Sequence, residues 1–388
     1  MNIDKLPFDE RIFDNIRPYN DSELPAALKR IAESEMFSFV ADYVFPDINV
    51  ADLKCKLLKI NTIKQFQEMI MHPAIWSIVQ KTSDGLSCKG FEKLQANKAY
   101  MFVCNHRDIL LDAAILQILL LDNCLDTTEI TFGSNLMQGE LVVDIGKSNK
   151  MFRIIRGGNI HDFYRNSLEV SAYMRHVVLQ KRQSVWIAQR NGRTKDGNDK
   201  TDMGVLKMLS LSSKLPFVEN LKELNITPIT VSYEYEPCDF LKTAELYVSG
   251  FQKYEKATNE DLMSILHGIR QQKGKIHFAV GDTITEQQLK ICDQYSNNDK
   301  FRALSNLFDK AIYKNYKLFK TNYIAYDLLH NCSDYSQHYS VAEKNQFLEY
   351  MNVGLSKIDG EFEELKALFF KIYAGNVINS VTNSPPIT

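Results

Sequence analysis

The chain has 388 residues, 45% of them hydrophobic and 24% charged, the composition of a folded globular protein long enough for one broad domain with helical additions or for two domains. Its formal net charge of −2, with no Arg/Lys stripe interleaved with aromatics, excludes the global basic field that nucleic-acid binding uses, so any phosphate recognition has to be local. Seven scattered cysteines, never spaced as Cys-x-x-Cys, indicate a reduced compartment and argue against a disulfide framework or a zinc ribbon.

The first residues lack the charged-then-apolar pattern of a secretory leader. Residues 1–90 read as helical: 22–43 and 53–70 carry apolar residues at three- and four-residue spacing, with Pro46 and Pro73 as breaks. A helical N-terminal segment is therefore assigned to 1–85. From 99 the texture changes. Short β-rich runs at 99–105, 129–132, 184–188, 227–233 and 275–280 alternate with helical stretches at 107–121, 160–180, 203–211 and 260–271. That alternation predicts an α/β domain over 86–285, a mostly parallel mixed sheet covered by helices. Residues 286–378 return to helix, rich in Tyr and Phe, and 379–388 read as a disordered tail. The longest apolar runs, 109–121 and 69–79, are broken by Asp112 and Gln117 and by His72 and Pro73, so neither is expected to span a bilayer. The second run, with Trp76, is a candidate contact with a membrane interface, although core packing accounts for it equally well.

Chemistry concentrates where the run 99–104 ends in Asn105-His106-Arg107-Asp108 and the apolar helix begins. A polar cluster at the carboxyl end of a strand is where α/β folds place their sites. A neutral imidazole there can act as general base. Asp108 or Asp112 could accept from its other ring nitrogen and fix the tautomer, the role of the third group in a triad. Taken alone, the string reads better as Asn105 and Asp108 capping a buried helix, with His106 incidental. The kinase-like His-Arg-Asp string fails because Ala113 stands where that loop needs Asn and no Asp-Phe-Gly follows. Cys104, on an apolar strand, reads as an inert core thiol rather than a nucleophile.

Four segments in order decide between these readings: Ser87-Cys88-Lys89-Gly90-Phe91-Glu92 leading to Asn105-His106-Arg107; Met151-Phe152-Arg153-Ile154-Ile155-Arg156-Gly157; Trp186-Ile187-Ala188-Gln189-Arg190-Asn191-Gly192-Arg193-Thr194-Lys195-Asp196-Gly197; and Ile226-Thr227-Pro228-Ile229-Thr230-Val231-Ser232-Tyr233. Over roughly residues 85–285 this set resembles the phospholipid/glycerol acyltransferase superfamily, which includes glycerol-3-phosphate and lysophosphatidate acyltransferases. The resemblance implies that His106 deprotonates an acceptor hydroxyl, that an aspartate orients it, and that Asn105, Arg107, Arg156 and the loop residues Arg190, Asn191, Gly192, Arg193 and Lys195 bind the acceptor's phosphate or glycerol end. Gly192 and Gly197 would let the backbone approach an anion, with Arg193 and Lys195 as positive donors.

Two departures stand out. The family has four residues between its His and Asp, whereas Asp112 follows His106 after five, so either the helix start holds an extra residue or Asp108 does the orienting; Asp112 is preferred. Asn191 stands where the family has a glutamate. The resemblance implies an O-acyltransferase of glycerolipid synthesis, with acyl-CoA or acyl-carrier-protein as co-substrate, no metal and no bound cofactor. Its partners would be a glycerol-phosphate-type acceptor and a membrane surface, with no nucleic acid, and its place the cytoplasm, peripheral at the inner face of the membrane. The alternatives are a weak or silent acyl-CoA-binding relative and an acyltransferase for an amino-acid-based lipid.

Overall fold

The five β-rich runs read from the sequence fold as strands and two more join them. In chain order the strands are β1 (Gly85–Lys89), β2 (Met101–Cys104), β3 (Glu129–Gly133), β4 (Met151–Ile154), β5 (Val185–Ala188), β6 (Ile226–Tyr233) and β7 (Lys275–Val280). The computed structural model describes residues 10–137, 139–155 and 159–382. Its sheet has the order β1-β7-β6-β2-β5-β3-β4. Neighbouring strands are parallel throughout except β6 against β7, which is antiparallel. The fold class is thus mixed α/β, a mostly parallel sheet covered by helices.

Strand periodicity divides the core into two layers. On β2, Phe102 and Cys104 face the layer of helices His72–Thr82 and Leu111–Asp122. Met101 and Val103 face the opposite layer, with helices Ile160–Leu179, Met203–Ser210 and Asn297–Lys314. The helix Leu111–Asp122 is apolar on every side and its first ten residues are buried, as a helix enclosed between sheet and outer helices must be. Residues 24–70 pack a separate small core around Leu28, Leu53 and Phe66. A fourth core, around Phe347, Phe369 and Tyr373, joins the last three helices.

Two expectations change. Residues 85–89 are an edge strand, not helix: β1 is mostly exposed and polar, so it lacks the apolar alternation that marks a strand. Of the two readings of 69–79, core packing describes Ile70, Ile75, Ile78 and Val79, which are buried, while Met69 is exposed and the Trp76 indole donates to Asp122 at 3.2 Å. The last helix, Phe362–Thr382, continues through residues read as tail, and Asn379 within it is buried; residues 383–388 lie outside the described residues. Among the described residues no helix is long and apolar enough to cross a membrane.

Candidate active site

The chain leaves β2 at Cys104 and takes six residues, 105–110, to enter the helix at Leu111. That turn is built around one buried carboxylate. Asp112 Oδ2 accepts from His106 Nδ1 at 3.0 Å and from the backbone N–H of Arg107 at 2.6 Å and of Asp108 at 2.9 Å. Its Oδ1 accepts from the Tyr233 hydroxyl at 2.8 Å. Side-chain acceptors here replace the first turn of helix. The helix therefore starts at Leu111 rather than at 107, and the additional residue between His106 and Asp112 is absorbed in the turn.

Because the carboxylate accepts a hydrogen bond from Nδ1–H, the lone pair of His106 lies on Nε2. The ring is 12% exposed at the side chain and packs edge-on against Trp186 at 5.9 Å. Asp108, the other candidate for orienting it, is engaged elsewhere. Its Oδ1 accepts from Leu110 N and Leu111 N at 2.9 and 2.7 Å and so caps the helix. Its Oδ2 is buried without a partner among the described residues. That oxygen lies over Gly268, where an added Cβ would come within 2.3 Å of it. Burial and the nearby Asp112 charge push the Asp108 carboxyl above its ordinary range.

His106 opens into a cleft of about 340 Å³ whose wall includes Arg190, Asn191, Gly192, Arg193, Lys195 and Asp196, the loop leaving the carboxyl end of β5. Neighbouring parallel strands β2 and β5 thus deliver imidazole and cationic loop to one cleft. Arg193 keeps a buried Nη1 without a hydrogen-bond partner among the described residues. Arg190 donates to Asn198 O at 3.3 Å. Lys195 is paired with Glu245, which shares its charge. Gly192, at φ +78°, has open space where a Cβ would stand.

Other residues read as ligand contacts have different work. Asn105 is fully buried. Its Oδ1 accepts from Val231 N at 2.8 Å, and its Nδ2 donates to Val231 O at 3.0 Å and to Asp199 at 2.9 Å. Arg107 is 2% exposed and pairs inward with Asp199 at 2.6 Å and Glu236 at 3.3 Å. Both face the interior, so the acceptor contacts expected of them are replaced by internal ones. Gly197 approaches the last helix rather than an anion: an added Cβ would meet Ile372 O at 2.4 Å. Arg156 lies outside the described residues. Burial pushes the Cys104 thiol well above its ordinary value, as suits an inert core residue.

Several site residues were not singled out from the sequence. Tyr233 lies in a strand that was read correctly, but nothing local tells which end meets Asp112. Lys256 and Asp261, joined at 2.5 Å, and Leu246 line the cleft from the segment after β6. A second, mainly apolar pocket of about 390 Å³ shares Arg190 and Asn191 with the cleft and continues between Ile154, Ile155, Val170, Val205 and Met208.

No family model and no curated protein matches this sequence. Among solved structures the chain is similar to the crystal structure of the 1-acyl-sn-glycerophosphate (LPA) acyltransferase, PlsC, from Thermotoga maritima, at 12% identity. The TM-score is 0.38, over 74% of this chain and 91% of that chain. Likeness at that level carries no inference about activity, which rests on the site itself.

Proposed function

We propose that this chain is an O-acyltransferase that moves a fatty acyl group from acyl-CoA or acyl-carrier-protein to the hydroxyl of glycerol 3-phosphate or a lysophospholipid-like acceptor. One observation carries the reading: His106, anchored on a buried carboxylate, and the cations Arg190 and Arg193 line the same cleft. A single acceptor can then present its hydroxyl to the imidazole and its phosphate, a few bonds away, to the loop.

In the reaction, His106 Nε2 takes the acceptor's hydroxyl proton as the oxygen attacks the thioester carbonyl. The tetrahedral adduct collapses by breaking the C–S bond, and the thiolate leaves with the proton returned from the imidazolium. Asp112 holds the ring and stabilises its charged form. The apolar pocket beside the cleft suits the acyl chain, whose burial contributes about 0.8 kcal/mol per CH₂. A long-chain product would be delivered at a membrane surface, and we place the protein peripherally at the cytoplasmic face.

The test is a transfer assay on the purified chain, with acyl-CoA and acyl-carrier-protein as donors. The acceptors are glycerol 3-phosphate, a lysophospholipid and an amino-acid-based lipid precursor. Ester formation on either phosphate-bearing acceptor supports the reading. Transfer confined to the amino-acid-based acceptor moves the acceptor class, and acyl-CoA binding with no transfer selects the silent relative.

A further inference from the structure

The loop that forms the cationic wall is held from behind the cleft. Asp199 closes that loop and is completely buried. Its Oδ1 accepts from the Thr194 hydroxyl at 2.6 Å. Its Oδ2 accepts from Asn105 at 2.9 Å, from Arg107 Nη2 at 2.6 Å and from the Tyr316 hydroxyl at 2.7 Å. Asn105 and Arg107 are the two neighbours of His106, and Thr194 N itself donates to His106 O at 2.7 Å. One carboxylate thus ties the middle of the loop to both flanks of the imidazole. Burial alone would push this carboxyl up, but the Arg107 charge and the Thr194, Tyr316 and Asn105 donors outweigh it and hold it below its ordinary value. The group stays ionised and all its donors stay engaged.

The last helix backs the same assembly. Asn376 accepts from Arg107 Nη2. One residue earlier, Gly375 lies so close to the loop that an added Cβ would meet Gly197 O at 2.3 Å.

We propose that Asp199 is a positioning residue, which sets the cationic loop against His106 and is locked in place by the last helix through Asn376 and Gly375. It touches no substrate; what the loop binds rests on the acyl-transfer reading. Replacing Asp199 would leave the buried Arg107 charge short of a partner and endanger the fold, so the test uses Thr194. Thr194→Val removes one hydroxyl with little change of volume, while Thr194→Ser keeps it.

Two readouts are needed: amide hydrogen exchange of residues 190–196, and steady-state kinetics with glycerol 3-phosphate as the acceptor probe. A lost hydrogen bond to a charged acceptor corresponds to roughly 10-fold or more in a local equilibrium. In Thr194→Val we expect exchange of 190–196 to quicken by about that factor, with β2 and β5 unchanged. Acceptor KM should rise by a similar factor with kcat little altered, and Thr194→Ser should restore both. Unchanged loop exchange in Thr194→Val, failure of Thr194→Ser to restore it, or a loosened loop with unchanged KM in a protein that does transfer acyl groups would overturn the proposal. A loosened loop in a protein with no transferase activity would support the clamp and remove the acyl-transfer reading instead.

Discussion

Asp112 accepts four hydrogen bonds, from a ring nitrogen, two backbone amides and a phenol. A carboxylate so fully engaged can neither rotate nor exchange partners cheaply, and His106 inherits that rigidity. In Asp112→Asn the remaining carbonyl can still accept from Arg107 and Asp108, while the charge that stabilises the imidazolium is gone. We expect a folded protein with kcat reduced by roughly 10² to 10⁴, the usual range for losing general-base assistance. Asp108→Asn keeps a side-chain oxygen for the helix cap and should lower kcat by only a few-fold. Initial rates of the two variants, beside their circular dichroism, check the assignment. Equal losses in both would mean that Asp112 has no special claim on the imidazole.

At the level of elements, strands were legible where they are buried. β2, β5, β6 and β7 are enclosed on both faces and read as apolar runs, whereas the polar edge strand β1 carries no such signal. The start of the helix at Leu111 was not legible because side-chain carboxylates, not propensity, decide it. His106 and the loop 190–197 became legible through the four ordered segments; taken alone, the residue types at these strand ends read as a helix cap and a turn. Asp199 was not legible, since it sits in a polar stretch that reads as a turn. Its partners Tyr316 and Arg107 lie 117 and 92 residues away along the chain, and no local pattern encodes such pairings. The crossing of the last helix over the loop is equally silent in sequence and depends on two small residues. A methyl group at Gly375 would have to displace backbone, which cannot yield as a side chain does. Gly375→Ala should therefore destabilise the protein by about 1–3 kcal/mol, the usual penalty for overpacking. Urea unfolding measures it; an unchanged midpoint would mean that helix and loop are not in contact in solution.

The molecule as a whole is closed by its C-terminal helices. Asp239, at the start of helix Asp239–Phe251, accepts from Tyr350 at 2.9 Å, from Tyr373 at 2.6 Å and from Gln271 at 3.0 Å. Burial pushes its carboxyl up to about 6 from an ordinary 3.8, against the opposing pull of the two phenols. A group that binds its proton more tightly when folded adds stability that is complete below the unfolded value and is lost as pH rises through the folded one. Relative to Asp239→Asn, the wild type should lose stability as pH rises from about 4 to 7, read from urea midpoints of both proteins at each pH; the opposite trend would place the carboxyl's proton elsewhere. The central proposal is that His106 is the base of an acyl transfer. Its most direct measurement is the initial rate of His106→Ala against wild type, over a range of acceptor concentrations, with fold and acyl-CoA binding checked in parallel. The expected result is a folded, acyl-CoA-binding variant with kcat lower by roughly 10² to 10⁴. Transfer at the wild-type rate in His106→Ala would contradict it.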